Sequence, residues 1–90
     1  MSYPKHIWDQ LKNLTADDFV RALDREKNGF LRDIQQGYSS GARIVWRHPD
    51  GRRVAIDYHP GKTYGRKQLI RLLNDIGWSE DELRDNGWIR

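Results

Sequence analysis

The sequence predicts an α+β fold in the order helix, three antiparallel strands, helix, short last helix, with one face of the sheet on the helices and the other free. Two observations carry this expectation. Capping boxes open helical segments towards both ends of the chain, and between them two alternating runs flank a Pro-Asp-Gly turn. Residues 1–90 read as a single domain, with residues 1–14 as a lead-in.

In LTADDFVRALDREKNGF, Thr15 is placed to cap a helix, with Asp18 three residues on to return the bond. Phe19, Val20 and Leu23 give that helix its apolar side, and Asn28-Gly29 is its expected stop. Upstream, Ile7, Trp8 and Leu11 suit one or two helical turns against the same core, with Pro4 and His6 in the lead-in. Phe30, Leu31 and Ile34 point to a short first strand, and Gly37 to Gly41 is a loop by composition.

ARIVWRH and RRVAIDYH follow as strands joined by Pro49-Asp50-Gly51, a type I turn with Gly51 left-handed. With His48 facing Arg52, Trp46 opposes Val54 and Ile44 opposes Ile56, on one apolar face with Tyr58. The reverse face then carries Arg47 opposite Arg53, Val45 opposite Ala55 and Arg43 opposite Asp57, with His59 near the strand end. A slip of one residue would turn the apolar set away from its partners, so the pattern selects this register.

After HPGKTYG, Leu69, Leu72, Leu73 and Ile76 make the apolar stripe of a helix that Gly77 ends. Lys62, Arg66 and Lys67 gather at its beginning, where the macrodipole favours acids. Cations there suit an anion bound between them. Ser79 and Glu82 then form a capping box for the last helix, after which Trp88 and Ile89 are expected to fold back onto the core.

A chain of 90 residues buries only about 60% of the surface its unfolded form exposes, so the core is small. There is no cysteine, which excludes a disulfide framework and a thiolate metal site. No apolar run exceeds three residues and MSYPKHIWDQ lacks the apolar stretch of a signal peptide, so a cytoplasmic protein without a membrane partner is expected. The net charge is +3 but uneven: from Arg43 to Arg71 eight Lys or Arg face two Asp, a net of +6, which leaves −3 for the rest. That segment is either a solvated face or an electrostatic footprint for nucleic acid.

The histidines and carboxylates match no standard metal-ligand spacing, so no metal and no cofactor are expected. GKTYGRK lacks the spacing of a phosphate-binding loop, which excludes nucleotide hydrolysis of that type. What remains is a basic surface of Arg43, Arg47, Arg53, His59, Lys62, Arg66 and Lys67, interleaved with Tyr58 and Tyr64. Like charges directly opposite are destabilising, so Arg47 against Arg53 either binds a phosphate or splays into water. Arg43 has a simpler alternative, a cross-strand ion pair with Asp57. His59 lies on the free face and is the candidate general acid or base for phosphodiester cleavage, while His48, beside the turn proline, reads as structural.

HPDGRRVAIDYHPGK followed by LIRLLNDIGWSEDEL resembles the HicA family of toxins from type II toxin-antitoxin systems, and the similarity runs from Thr15 to Leu83. The resemblance implies a double-stranded-RNA-binding-like fold, an antitoxin partner of the HicB type and a nuclease that cleaves mRNA. The family's usual G-S-H-x-x-F/Y motif carries its catalytic histidine; here the aligned residues are Gly41, Ala42 and Arg43, so Arg43 stands at the catalytic position. An arginine can stabilise an added negative charge but stays protonated and cannot be a general base. Three readings follow: a ribonuclease whose acid or base is His59, an RNA binder without chemistry, and a module whose basic face meets an acidic protein.

Overall fold

Thr15 caps its helix as the spacing predicts. In the computed structural model, which describes residues 3–33 and 43–90, the Thr15 hydroxyl accepts from the Asp18 N–H and the Asp18 carboxylate accepts from the Thr15 N–H. The helix so opened, α2 (Ala16–Leu23), follows α1 (Lys5–Leu11). It ends earlier than Asn28-Gly29, because Asp24 turns its carboxylate to the Trp46 indole N–H at 2.9 Å and to Arg32 at 2.7 Å. A separate 3-10 turn, Glu26–Asn28, fills the gap, and left-handed Gly29 closes that turn instead.

Three strands form one antiparallel sheet in the order β1-β2-β3: β1 (Leu31–Arg32), β2 (Arg43–Arg47) and β3 (Arg53–Asp57). β1 is shorter than the sequence suggests. Phe30 precedes it as a core residue, Leu31 is 70% exposed, and Ile34 lies outside the described residues, as does the Gly37 to Gly41 loop. The β2–β3 register is the one the apolar pattern selects, with Trp46 opposite Val54 and Ile44 opposite Ile56. His48 and Arg52 close the hairpin through His48 N–H to Arg52 O at 2.9 Å, and Gly51 takes φ +103.

α3 (Arg66–Ile76) packs beside β3, and α4 (Glu80–Asp85) opens on the Ser79–Glu82 capping box. The described residues thus form a small α+β arrangement of four helices and a three-stranded antiparallel sheet. One core joins the helices to the inner sheet face: Phe19, Leu23, Trp46, Val54, Ile56, Leu73 and Ile76 are all at or below 1% exposure. Trp88 and Ile89 fold onto it. No described helix is long and apolar enough to cross a membrane.

α1 is more than a lead-in. Ile7 and Leu11 are fully buried, the Tyr3 hydroxyl donates to Trp78 O at 2.6 Å, and the Arg90 N–H reaches Gln10 at 2.8 Å. Asn86 makes a second tie across the chain. Its buried amide oxygen accepts from Asn28 at 2.9 Å and Arg25 at 3.3 Å, which fixes α4 to the 3-10 turn.

Candidate nucleic-acid interface

The outer face of the hairpin carries the predicted cations, but not all of them are free. Arg47 stands opposite Arg53, as the register requires. Its Nε donates to Asp33 at 2.8 Å, and that carboxylate is only 13% exposed. The compensation that this like-charged pair calls for is thus supplied, for Arg47, by a residue of the chain just beyond β1. Arg43 approaches Asp57 to 3.9 Å with both side chains more than half exposed, a loose cross-strand pair worth at most about 1 kcal/mol.

Where α3 runs past β3, its polar flank meets this face. Gln68, Arg71, Leu72 and Asp75 follow one another at helical spacings of three, one and three, and so share one side of α3. Together with Arg43, Arg53, Ala55 and Asp57 they enclose a cleft of about 120 Å³. Three guanidinium groups face two carboxylates there. Arg53 and Arg71 make no hydrogen bond or ion pair among the described residues, and three guanidinium groups against two carboxylates leave the cleft with a net positive charge. Arg71 was missed as a site residue. Its signal was present, since it closes the basic segment and lies one helical turn beyond Lys67.

The stretch after β3 is organised by a carboxylate that sequence reasoning overlooked. Pro60 and left-handed Gly61 form a type II turn, closed by Lys62 N–H to His59 O at 3.0 Å. Asp17, in the first turn of α2, accepts from the Tyr58 hydroxyl at 2.5 Å and from the Gly61 N–H at 2.8 Å. Ala16 N–H to Lys62 O at 2.7 Å and a Thr15–Thr63 bridge complete the join. The Tyr58 hydroxyl, and after it the Gly61 N–H, hold the Asp17 carboxyl below its ordinary value. The same bond raises the Tyr58 phenol.

This join corrects the expected aromatic interleaving. Tyr64 is 7% exposed, packed edge-on to Phe19 with ring centres 5.6 Å apart, and burial raises its phenol. Tyr58 is half-buried against the core with its hydroxyl on Asp17. Tyr64 thus has little ring surface left to stack a base, and Tyr58 is held in place by its hydroxyl. Lys62 sits with its ammonium 5.6 Å over the Tyr64 ring, so it is partly engaged as well. His59 is exposed, has no side-chain partner among the described residues, and lies two residues beyond Asp57 without lining the cleft.

The basic surface is also divided around α3. Gly65 caps the helix without a side chain, no acid occupies the first turn, and Arg66 and Lys67 are exposed there. Arg66, however, points towards α1, beside Trp8 and Lys12, about 160° around the helix from Gln68. One helix therefore separates Arg66 from the Arg43–Arg53–Arg71 cleft. His48 and Arg52 are turned away from this face and are only partly exposed. His48 accepts from the Asp50 N–H at 3.1 Å and packs edge-on to Phe30, while Arg52 lies over the Phe30 ring and donates to Ile76 O at 2.6 Å.

Set beside known proteins, the chain matches no family model and no curated protein, so the chemistry of this surface is read from its own side chains.

Proposed function

We propose that this protein is an RNA-binding member of the HicA-like toxins, with a double-stranded-RNA-binding-like fold, and that the Arg43–Arg53–Arg71 cleft holds RNA phosphate. The observation that carries the reading is the convergence of three guanidinium groups on a cleft with two carboxylates, with Arg53 and Arg71 making no ion pair among the described residues. Arginine presents a planar fork of donors that matches phosphate oxygens, and phosphate contacts dominate affinity for nucleic acid. Gln68 adds a neutral donor on the same side. An acidic antitoxin of the HicB type would compete for the same charges.

Binding without cleavage is the favoured form. Arg43, at the family's catalytic position, cannot take a proton at neutral pH, and no imidazole lines the cleft. If cleavage occurs, the nearest histidine along the chain is His59, two residues past Asp57.

Fluorescence anisotropy with labelled RNA tests the proposal. Replacing Arg53 and Arg71 by Ala is expected to weaken binding across RNA sequences, and on a single strand to flatten the salt slope by about 0.7 for each phosphate no longer neutralised. Unchanged affinity and slope in a folded double variant would refute it. Gel analysis of the same RNA should show no cleavage by the wild type; cleavage that disappears in His59→Ala would replace the binder reading with a nuclease.

A further inference from the structure

A second hollow, of about 250 Å³, lies on the Arg66 side of α3. Trp8, Tyr64 and Leu69 form its apolar floor, and Lys12, Arg66 and Asp9 form its rim. Lys12 and Arg66 are exposed and their side chains have no hydrogen bond or ion pair among the described residues. Trp8 differs from the other three tryptophans. Trp46, Trp78 and Trp88 are 0%, 2% and 8% exposed, whereas Trp8 is half-buried, with Tyr3 against it at 5.7 Å and the hollow on its open side.

We infer that this hollow is a nucleotide subsite, in which one base of single-stranded RNA stacks on the Trp8 indole while its phosphate lies between Lys12 and Arg66. The inference rests on the RNA reading and specifies it, since a base held within a duplex cannot reach an aromatic floor. Stacking on a partly exposed aromatic beside cations is how single strands are held without sequence preference. The charge pattern supplies the path. Lys67 lies on the exposed ridge of α3, between the flank on which Arg71 borders the cleft and the flank that carries Arg66, so cations continue from one site to the other. The ridge is one helix wide, about 10–12 Å, short enough for a strand to cross. An acidic protein segment would satisfy Lys12 and Arg66 but has no need of a flat ring between them.

The buried state of the other three indoles makes Trp8 its own reporter. Titration with a short oligouridylate is expected to quench the intrinsic fluorescence, and Trp8→Leu is expected to abolish the quenching and weaken binding, read by anisotropy, about 5- to 100-fold. Trp8→Phe keeps a stacking face and should restore most of the affinity without the quenching. Because Trp8 also touches the core, Lys12→Ala with Arg66→Ala gives a second arm that leaves packing alone, with a lower salt slope expected. If Trp8→Leu and the Lys12/Arg66 variant bind RNA as the wild type does, while Arg53→Ala with Arg71→Ala weakens it, the subsite is refuted and the cleft stands. If no RNA binds the wild type, both readings fall. Quenching by an acidic peptide in place of RNA would assign the hollow to a protein partner and overturn the inference.

Discussion

Arg52 and Arg53 are chain neighbours on opposite faces, and their surroundings give them opposite roles. Arg52 satisfies a carbonyl at the end of α3, lies over Phe30 and is steadied by Asp50, whereas Arg53 has no partner among the described residues. A hydrogen bond to a charged donor contributes about 1.5–3 kcal/mol, and partial exposure puts Arg52 at the low end of that range. Arg52→Ala should therefore lower the urea midpoint by about 1.5 kcal/mol equivalent without changing RNA affinity, and Arg53→Ala should do the reverse. Equal loss of RNA binding in both would contradict the assignment. Asp17 gives a pH signature. Its carboxyl is held below the ordinary value of 3.8, so the stability it contributes is present above that value and is lost as pH falls through the lowered one. Asp17→Asn should destabilise the protein at pH 7, with the gap to wild type closing below about pH 4, as followed by urea unfolding across that range.

At the scale of elements, what local chemistry specifies was legible and what distant partners specify was not. Both capping boxes and the hairpin register were readable, because each depends on residues a few positions apart. The end of α2 was misplaced because Asp24 answers to Trp46, far along the chain. Gly29, read as the stop of that helix, closes the 3-10 turn with φ +77, and a Cβ there would lie 2.7 Å from His48 Nε2. Gly61 has nearly the same φ, +74, with nothing within 4 Å of a Cβ. Gly61→Ala is thus expected to cost about 1–2 kcal/mol from backbone conformation alone. Gly29→Ala should cost about 1–3 kcal/mol more, because His48 must leave its place against Phe30. Paired denaturation curves read the difference directly, and equal losses would mean that His48 moves freely.

For the whole molecule, the first helix matters more than its sequence announces. Ile7 and Leu11 were readable as apolar, but nothing local shows that Tyr3 would reach Trp78 or that Gln10 would meet the C-terminal residue. Leu11→Ala is expected to cost about 2–5 kcal/mol, against a total of about 5–15 kcal/mol for a domain. Loss of the cooperative thermal transition, or a fall of that size in the urea midpoint, would be the readout. A fall under about half a kcal/mol, the size of an ordinary surface substitution, would return α1 to the status of a lead-in. The same helix supplies Trp8 and Lys12, so packing and the proposed nucleotide subsite depend on one element.

The sequence by itself determined the α+β class, the helix starts, the strand register and the segregation of positive charge into one segment. Each follows from spacing of two, three or four residues, which the backbone converts directly into a face or a cap. Tertiary structure alone decided which charges stay available. Asp33 neutralises Arg47, Asp17 draws Tyr58 and the His59–Lys62 turn onto α2, and α3 brings Arg71 to Arg43 and Arg53 while carrying Arg66 away. A charge is neutralised by whatever lies within a few ångströms, and that distance is set by how the elements pack, not by how far apart their residues stand in the chain.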